Sequence, residues 1–258
     1  MLNFLKNADF KIKNYDIQLN LQEQDELVSK NSDIAIVSIV QCNIQYSHFQ
    51  KNLAEKLLNT NELHKYESFG SEKRKYHYIM GRIAAKNAFM QLTTQLTKEQ
   101  NPQKICITNT QEGYPVIEND MDYAVSISHS GNYAAAIVFR KNTSFFINDM
   151  SSCGIDLEYI NSEKIRALKK ISLQNEPIEH NVNSLTIAWC LKESLGKALL
   201  CGLNNDLETF RIKRYLQKND KCTYQAEYTY HQQYIGIAKI INTDTENNIV
   251  CAITHNFK

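Results

Sequence analysis

The chain has 258 residues, enough for one large domain or two modest ones, and a composition of 43% hydrophobic and 22% charged residues excludes a disordered polymer. Its 29 Lys and Arg against 28 Asp and Glu leave a net charge of +1, without the basic excess of a nucleic-acid-binding surface. No stretch approaches the roughly 20 apolar residues of a membrane span, and the charge-broken start MLNFLKNADFKIKNYD makes a poor secretory signal. Seven scattered cysteines with no CxxC pair read as reduced thiols, so the expectation is a cytoplasmic protein that binds neither nucleic acid nor membrane.

Taken in chain order, residues 1–30 are polar and weakly periodic, which predicts an irregular N-terminal extension. The β-branched run 34–40 (IAIVSIV) predicts a buried strand. Helical spacing of Phe49, Leu53, Leu57 and Leu58 predicts a helix over 47–61. A longer helix follows over 71–96, with Ile79, Ile83, Ala84, Phe89 and Met90 on its apolar stripe and Arg82 and Lys86 nearby. A short strand is expected at 105–108, a turn at 111–115, and a strand pair at 123–128 and 133–139 joined through 130–132. Alternation predicts a strand at 153–159. Helices are then expected at 165–173 and 186–203, and strands at 221–230, 233–241 and 249–254. The recurring order of strand, helices and strands predicts an α+β protein with similar halves at 31–152 and 153–258.

Four groups could carry chemistry. Asp156 and Glu158 are two apart on a predicted strand and share one face, with Ile155 and Leu157 directed the other way into the core. Paired carboxylates suit a hard cation such as Mg²⁺, although a solvated strand face has the same pattern. Glu193 and Lys197, four apart on a helix, are neighbours on one surface, as catalytic groups or as an ordinary salt bridge. Ser128 and His129 close a strand at a tight turn, where side chains and amides reach a ligand phosphate or simply satisfy the turn. Lys65, Lys73, Arg74, Arg82 and Lys86 form a basic set that suits phosphate binding or a solvated helix face.

Five stretches carry a family resemblance: GRIAAK (81–86), EGYPVI (112–117), SISHSGNYAAAIV (126–138), GIDLE (154–158) and WCLKESLGKALLCGL (189–203). In this order they resemble the 4′-phosphopantetheinyl transferases of the larger, surfactin-synthetase-activating type. The resemblance implies a pseudo-twofold monomer of two α+β subdomains, each a small, mostly antiparallel sheet packed on a long helix, with coenzyme A in the cleft between them. It implies Asp156, Glu158 and Glu193 as ligands of Mg²⁺, with Mn²⁺ as an alternative. It places Lys197 at the coenzyme A phosphates, Ser128 and His129 at the 3′-phosphate, Lys65, Arg82 and Lys86 at further phosphate-contacting or supporting positions, and Gly113 and Tyr114 beside the adenine. Tyr114 stands where the family commonly has lysine, and the segment between Glu158 and Trp189 departs from the family pattern.

The implied reaction moves the phosphopantetheine arm of coenzyme A to a serine of an apo acyl or peptidyl carrier protein. Glu193 is then the general base and Lys197 the cation at the reacting phosphate. A magnesium-dependent phosphohydrolase and a non-catalytic coenzyme-A-binding protein are the alternatives that the same residues leave open.

Overall fold

The computed structural model describes residues 10–18, 34–42, 51–93, 101–118, 120, 122–141, 153–204, 206–242 and 248–256. The chain divides into two compact units, Met1–Ser144 and Phe145–Lys258.

The first unit runs β1 (Phe10–Gln18), β2 (Ile34–Cys42), α1 (Lys51–Leu57), α2 (Thr60–Glu67), α3 (Glu72–Thr93), β3 (Ile107–Asn109), β4 (Pro115–Ile117), β5 (Tyr123–Ser130) and β6 (Tyr133–Arg140). Four strands make an antiparallel sheet in the order β1-β2-β6-β5, and β3 pairs with β4 separately. Helix α3 lays Tyr76, Ile79, Met80, Ile83 and Met90 onto Ile36 and Val40 of β2, Val125 of β5 and Ala134, Ala136 and Val138 of β6. Each large aliphatic side chain buried this way contributes about 1.5–3 kcal/mol, so this face sets the unit's stability.

Two expectations change here. The extension predicted as irregular contains β1, whose alternation Phe10-Lys11-Ile12-Lys13 changes phase at Asn14 and resumes with Tyr15, Asp16 and Ile17. Among the described strands β1 lies at the edge of its sheet, beside β2, where a broken pattern is tolerated. The single helix expected over 47–61 breaks at Asn59, whose side chain accepts from the Glu62 amide while the Glu62 carboxylate accepts from the Asn59 amide. That reciprocal cap starts α2 afresh. Residues 47–50 and 94–96 of the expected helices lie outside the described residues.

The second unit runs β7 (Cys153–Tyr159), α4 (Ile165–Ile171), α5 (Val182–Ala198), β8 (Ile212–Gln217), β9 (Thr223–Tyr228), β10 (Tyr234–Ile241) and β11 (Ile249–Asn256). Its sheet is antiparallel in the order β7-β11-β10-β9-β8. Helix α5 begins at Asn181, which caps the Ser184 amide, and buries Leu185, Leu191, Leu195 and Ala198 in a core with Tyr228, Ala238, Val250 and Ala252. It ends before Leu200 and Gly202, both at positive φ, so the helix stops short of the expected 203. Strand β8, unforeseen because IKRYLQ carries two cations, is the far edge of this sheet.

Both units are α+β and share a buried device. Lys86 of α3 donates to Glu62 at 2.5 Å and to the carbonyls of Leu57 and Pro102, while Glu62 accepts from the Ile107 amide. Lys192 of α5 donates to Glu176 at 2.8 Å and to the Ile171 carbonyl, while Glu176 accepts from the Ile212 amide. In each unit the pair ties the long helix to the preceding helical segment and to the strand that follows. The residue after the lysine differs. In α3 it is Asn87, which donates to Ser38 of β2 at 3.1 Å, whereas in α5 it is Glu193.

Candidate functional site

The described residues that line a cleft of about 930 Å³ all belong to the first unit. Lys65 comes from α2; Lys73, Arg74, His77, Tyr78, Gly81 and Arg82 come from α3. Asn109, Gly113 and Pro115 come from β3, β4 and their turn, and Ile127 and His129 from β5. The α3 residues recur as 73-77-81 and 74-78-82, four apart, so one helical face lines the cleft. Among the described lining residues four are Lys or Arg and none is Asp or Glu. With Phe69 and Tyr78 supplying aromatic surface, this is chemistry for a phosphate-bearing ligand that also has a flat apolar part.

Arg82 is the most constrained of these cations. Its side chain is 7% exposed and ion-paired to Glu62 at 3.3 Å; it donates to Asn109 Oδ1 at 3.2 Å and lies 4.4 Å from the Tyr78 ring centroid. Lys65 is exposed, with its ammonium 5.6 Å from the centre of Phe69. His129 stacks on His77 with ring centroids 4.2 Å apart. Burial, with the neighbouring His129 adding to it, pulls the His77 imidazole down to about 4.

Three of the cofactor-binding expectations are corrected here. Lys86 does not face the cleft: it is fully buried, three acceptors surround its ammonium, and burial lowers its pKa. Breaking a buried ion pair to reach a phosphate is strongly unfavourable, so Lys86 is a structural cation. Ser128 and His129 do not act as a side-chain pair, because adjacent strand residues point to opposite faces. His129 lines the cleft with Ile127, and Ser128 is buried on the other side of β5. Gly113, at φ +95°, lines the cleft, whereas the neighbouring Tyr114 is not among the lining residues.

His77, Tyr78 and Asn109 were not singled out from sequence. The two α3 residues were detectable from their spacing with Lys73, Arg74 and Arg82. Asn109 reaches the site only through the fold.

The carboxylates lie in the second unit. Asp156 and Glu158 of β7 pair in register with Ala252 and Val250 of β11, both part of the core under α5. Both acids therefore share the helix-facing side of the sheet, while Ile155 and Leu157 are buried on the opposite face rather than in that core. Gly154 makes this closeness possible, since a Cβ there would lie 2.1 Å from the Ser194 carbonyl oxygen. Lys197 reaches across to β7 and donates to Asp156 Oδ1 at 2.7 Å and to the Ile155 carbonyl at 3.0 Å. Lys164 pairs with Glu158 at 2.9 Å. Glu193 is half-buried, and its carboxyl is held above its ordinary value by burial and by the negative charge of Asp156; Lys197 opposes this and Glu158 adds to it.

This donor set suits a hard divalent cation. A bound cation would offset both the burial that chiefly raises the Glu193 carboxyl and the negative charge that Asp156 adds to it. Among the described residues no group of three or more His, Cys, Asp or Glu is placed to hold a metal ion by itself. Mg²⁺ asks a protein for only one or two carboxylates, waters and substrate phosphates completing its shell, and Asp156 and Glu158 on one face of β7 meet that demand.

Sequence comparisons agree with this division. Residues 68–139 match the 4′-phosphopantetheinyl transferase N-terminal domain and residues 152–254 the 4′-phosphopantetheinyl transferase superfamily, about two thirds of the chain together. The chain belongs to the 4′-phosphopantetheinyl transferase superfamily. A holo-[acyl-carrier-protein] synthase of Staphylococcus carnosus is 42% identical over 91 residues, 34% of this chain and 78% of that protein. One from Staphylococcus aureus is 34% identical over 114 residues, 43% of this chain and 95% of that protein, which is therefore less than half as long as this chain. A solved holo-(acyl-carrier-protein) synthase from Bacillus anthracis, in complex with CoA (3′,5′-ADP), is 26% identical with a TM-score of 0.33, covering 40% of this chain and 90% of its own. Among the described residues no helix is long and apolar enough to cross a membrane.

Proposed function

We propose that the chain transfers the 4′-phosphopantetheine arm of coenzyme A to a serine of an apo acyl or peptidyl carrier protein, with Mg²⁺, releasing adenosine 3′,5′-bisphosphate. The observation that carries this reading is Glu193 on α5, its carboxyl raised, beside Asp156 and Glu158 of β7. Relatives 42% and 34% identical that bear the name holo-[acyl-carrier-protein] synthase support the carrier-protein substrate.

A serine hydroxyl attacks phosphorus effectively only as its proton leaves, so the reaction needs a base. Glu193 takes that proton, directly or through one water, from its half-buried place on α5. The serine oxygen bonds to the phosphorus that carries the pantetheine arm. The bond from that phosphorus to the bridging oxygen breaks, and adenosine 3′,5′-bisphosphate departs with the electron pair. Lys197 offsets charge on the phosphate oxygens and orients Asp156 through its 2.7 Å hydrogen bond. Asp156, Glu158 and Glu193 would hold Mg²⁺, which when bound lowers the charge of the pyrophosphate. In the first unit, Lys65, Arg82 and His129 take the 3′-phosphate, with Gly113 beside the adenine.

The test is mass spectrometry of purified apo acyl and peptidyl carriers after incubation with coenzyme A and Mg²⁺. A gain of one phosphopantetheine on the carrier serine is expected. Unmodified carriers throughout, with coenzyme A hydrolysed instead, would replace this reading with a phosphohydrolase.

A further inference from the structure

The turn between β3 and β4 is tied to α3 by one side chain. Asn109 receives a hydrogen bond from Arg82 on its Oδ1 at 3.2 Å and donates from its Nδ2 to the Gly113 carbonyl at 2.6 Å. An amide has an acceptor and a donor on opposite ends, so it can join a cation to a carbonyl. The turn it grips is otherwise closed on itself: the Thr110 amide donates to Tyr114 O, the Gly113 amide to Thr110 O, and Gly113 takes φ +95°. Arg82, Asn109 and Gly113 all line the basic cleft.

Arg82 is fixed on its other sides as well. Glu62 pairs with its Nε from within the unit, and the Tyr78 ring lies under the guanidinium. Glu62 also neutralises Lys86, so one buried carboxylate serves two cations and the cluster keeps a net positive charge directed at the cleft. Asn109 is exposed, so its loss opens no cavity. A flexible arginine spends rotamer entropy when it orders around a phosphate; one held in place beforehand spends less.

We infer that Asn109 is a positioning residue, which acts through Arg82 and locks the guanidinium and the Gly113 turn into one anion-binding surface. This rests on the reading of the cleft as the nucleotide end of the coenzyme A site, but its test does not need turnover.

The experiment is a double-mutant cycle on the full chain, read by calorimetric titration with adenosine 3′,5′-bisphosphate. Asn109→Ala should weaken binding about tenfold, the range of one hydrogen bond to a charged group. In an Arg82→Ala background the same change should have almost no effect, because the group it positions is gone. Arg82→Ala leaves Glu62 paired with Lys86; Arg82→Lys serves as a second background that keeps the charge. Equal factors for Asn109→Ala in all backgrounds would overturn the proposal, and so would a wild-type chain that does not bind the bisphosphate. Coupling in the cycle together with no transfer to any carrier would uphold the positioning role and refute the proposed function.

Discussion

Lys197 leaves the surface of α5 and donates to Asp156 at 2.7 Å, making a helix-to-strand link where the i, i+4 spacing with Glu193 suggested a pair along the helix. Its positive charge beside Asp156 both steadies that carboxylate and limits the rise in the Glu193 carboxyl.

Replacing the proposed base separates chemistry from stability. Glu193→Gln keeps the shape and removes the proton acceptor, so kcat should fall by about 10²–10⁴-fold. The Glu193 carboxyl is raised in the fold, so between its unfolded and folded values the native state binds more protons and stability drops as pH rises. At neutral pH the ionised group is therefore a strain that glutamine relieves. The melting temperature of Glu193→Gln at pH 7 should exceed the wild type's; a lower value with normal kcat would mean the residue is structural.

Lys86→Met tests the reassignment of a predicted phosphate ligand. It leaves the buried Glu62 with Arg82 alone, and removing one partner of a buried pair costs about 3–5 kcal/mol. Urea denaturation should show that loss. Whatever activity survives should show the same ratio of KM for coenzyme A to KM for dephospho-coenzyme A as the wild type. A selective loss with coenzyme A would restore Lys86 to the phosphate site.

Gly154→Ala would place a methyl 2.1 Å from the Ser194 carbonyl and 2.6 Å from the Ala198 amide nitrogen, so α5 must move off β7. Overpacking of this kind costs about 1–3 kcal/mol, and more where backbone is the obstacle. The shift also separates Glu193 and Lys197 from Asp156. Stability and kcat should therefore fall together while binding of adenosine 3′,5′-bisphosphate persists, which calorimetry can verify.

His77 makes the first unit sensitive to acid. Its folded value of about 4 lies below the ordinary histidine value of about 6.5, so the unfolded chain binds the extra proton first. Its contribution is complete above about pH 6.5 and is lost as pH falls towards 4. His231 and His255 are depressed too, so the useful quantity is the difference between wild type and His77→Phe. Denaturation at pH 7.5 and 5 should give a smaller pH slope for the variant; equal slopes would remove His77 from the acid response.

Much of the framework could be read from residue order. The strand at 153–159 ends where alternation in CGIDLEY predicts, and α3 and α5 follow their apolar stripes. The strands that escaped notice, β1, β4 and β8, are short or lie at sheet edges, where charges interrupt the period-two pattern without penalty. Lys86 was misplaced because its partner Glu62 lies 24 residues away, although its position in step with Ile79, Ile83 and Met90 already put it on the buried stripe. Asn109 was invisible for a related reason: its partner Arg82 is 27 residues distant, and only the folded turn brings them together.

The contrast between Asn87 and Glu193 bears on how many reactions one polypeptide can run. Each follows the buried lysine of its helix, but Asn87 donates to the hydroxyl of Ser38, a neutral contact, where Glu193 lies within the field of the Asp156 carboxylate. Amide and hydroxyl neither attract a divalent cation nor accept a proton from a serine near neutral pH. On the proposed reading, the acidic set of the second unit therefore has no counterpart at Asn87. Titrating the chain with Mn²⁺ should reach equivalence at one ion, and quenched single-turnover experiments should release one adenosine 3′,5′-bisphosphate per chain in the first cycle rather than two.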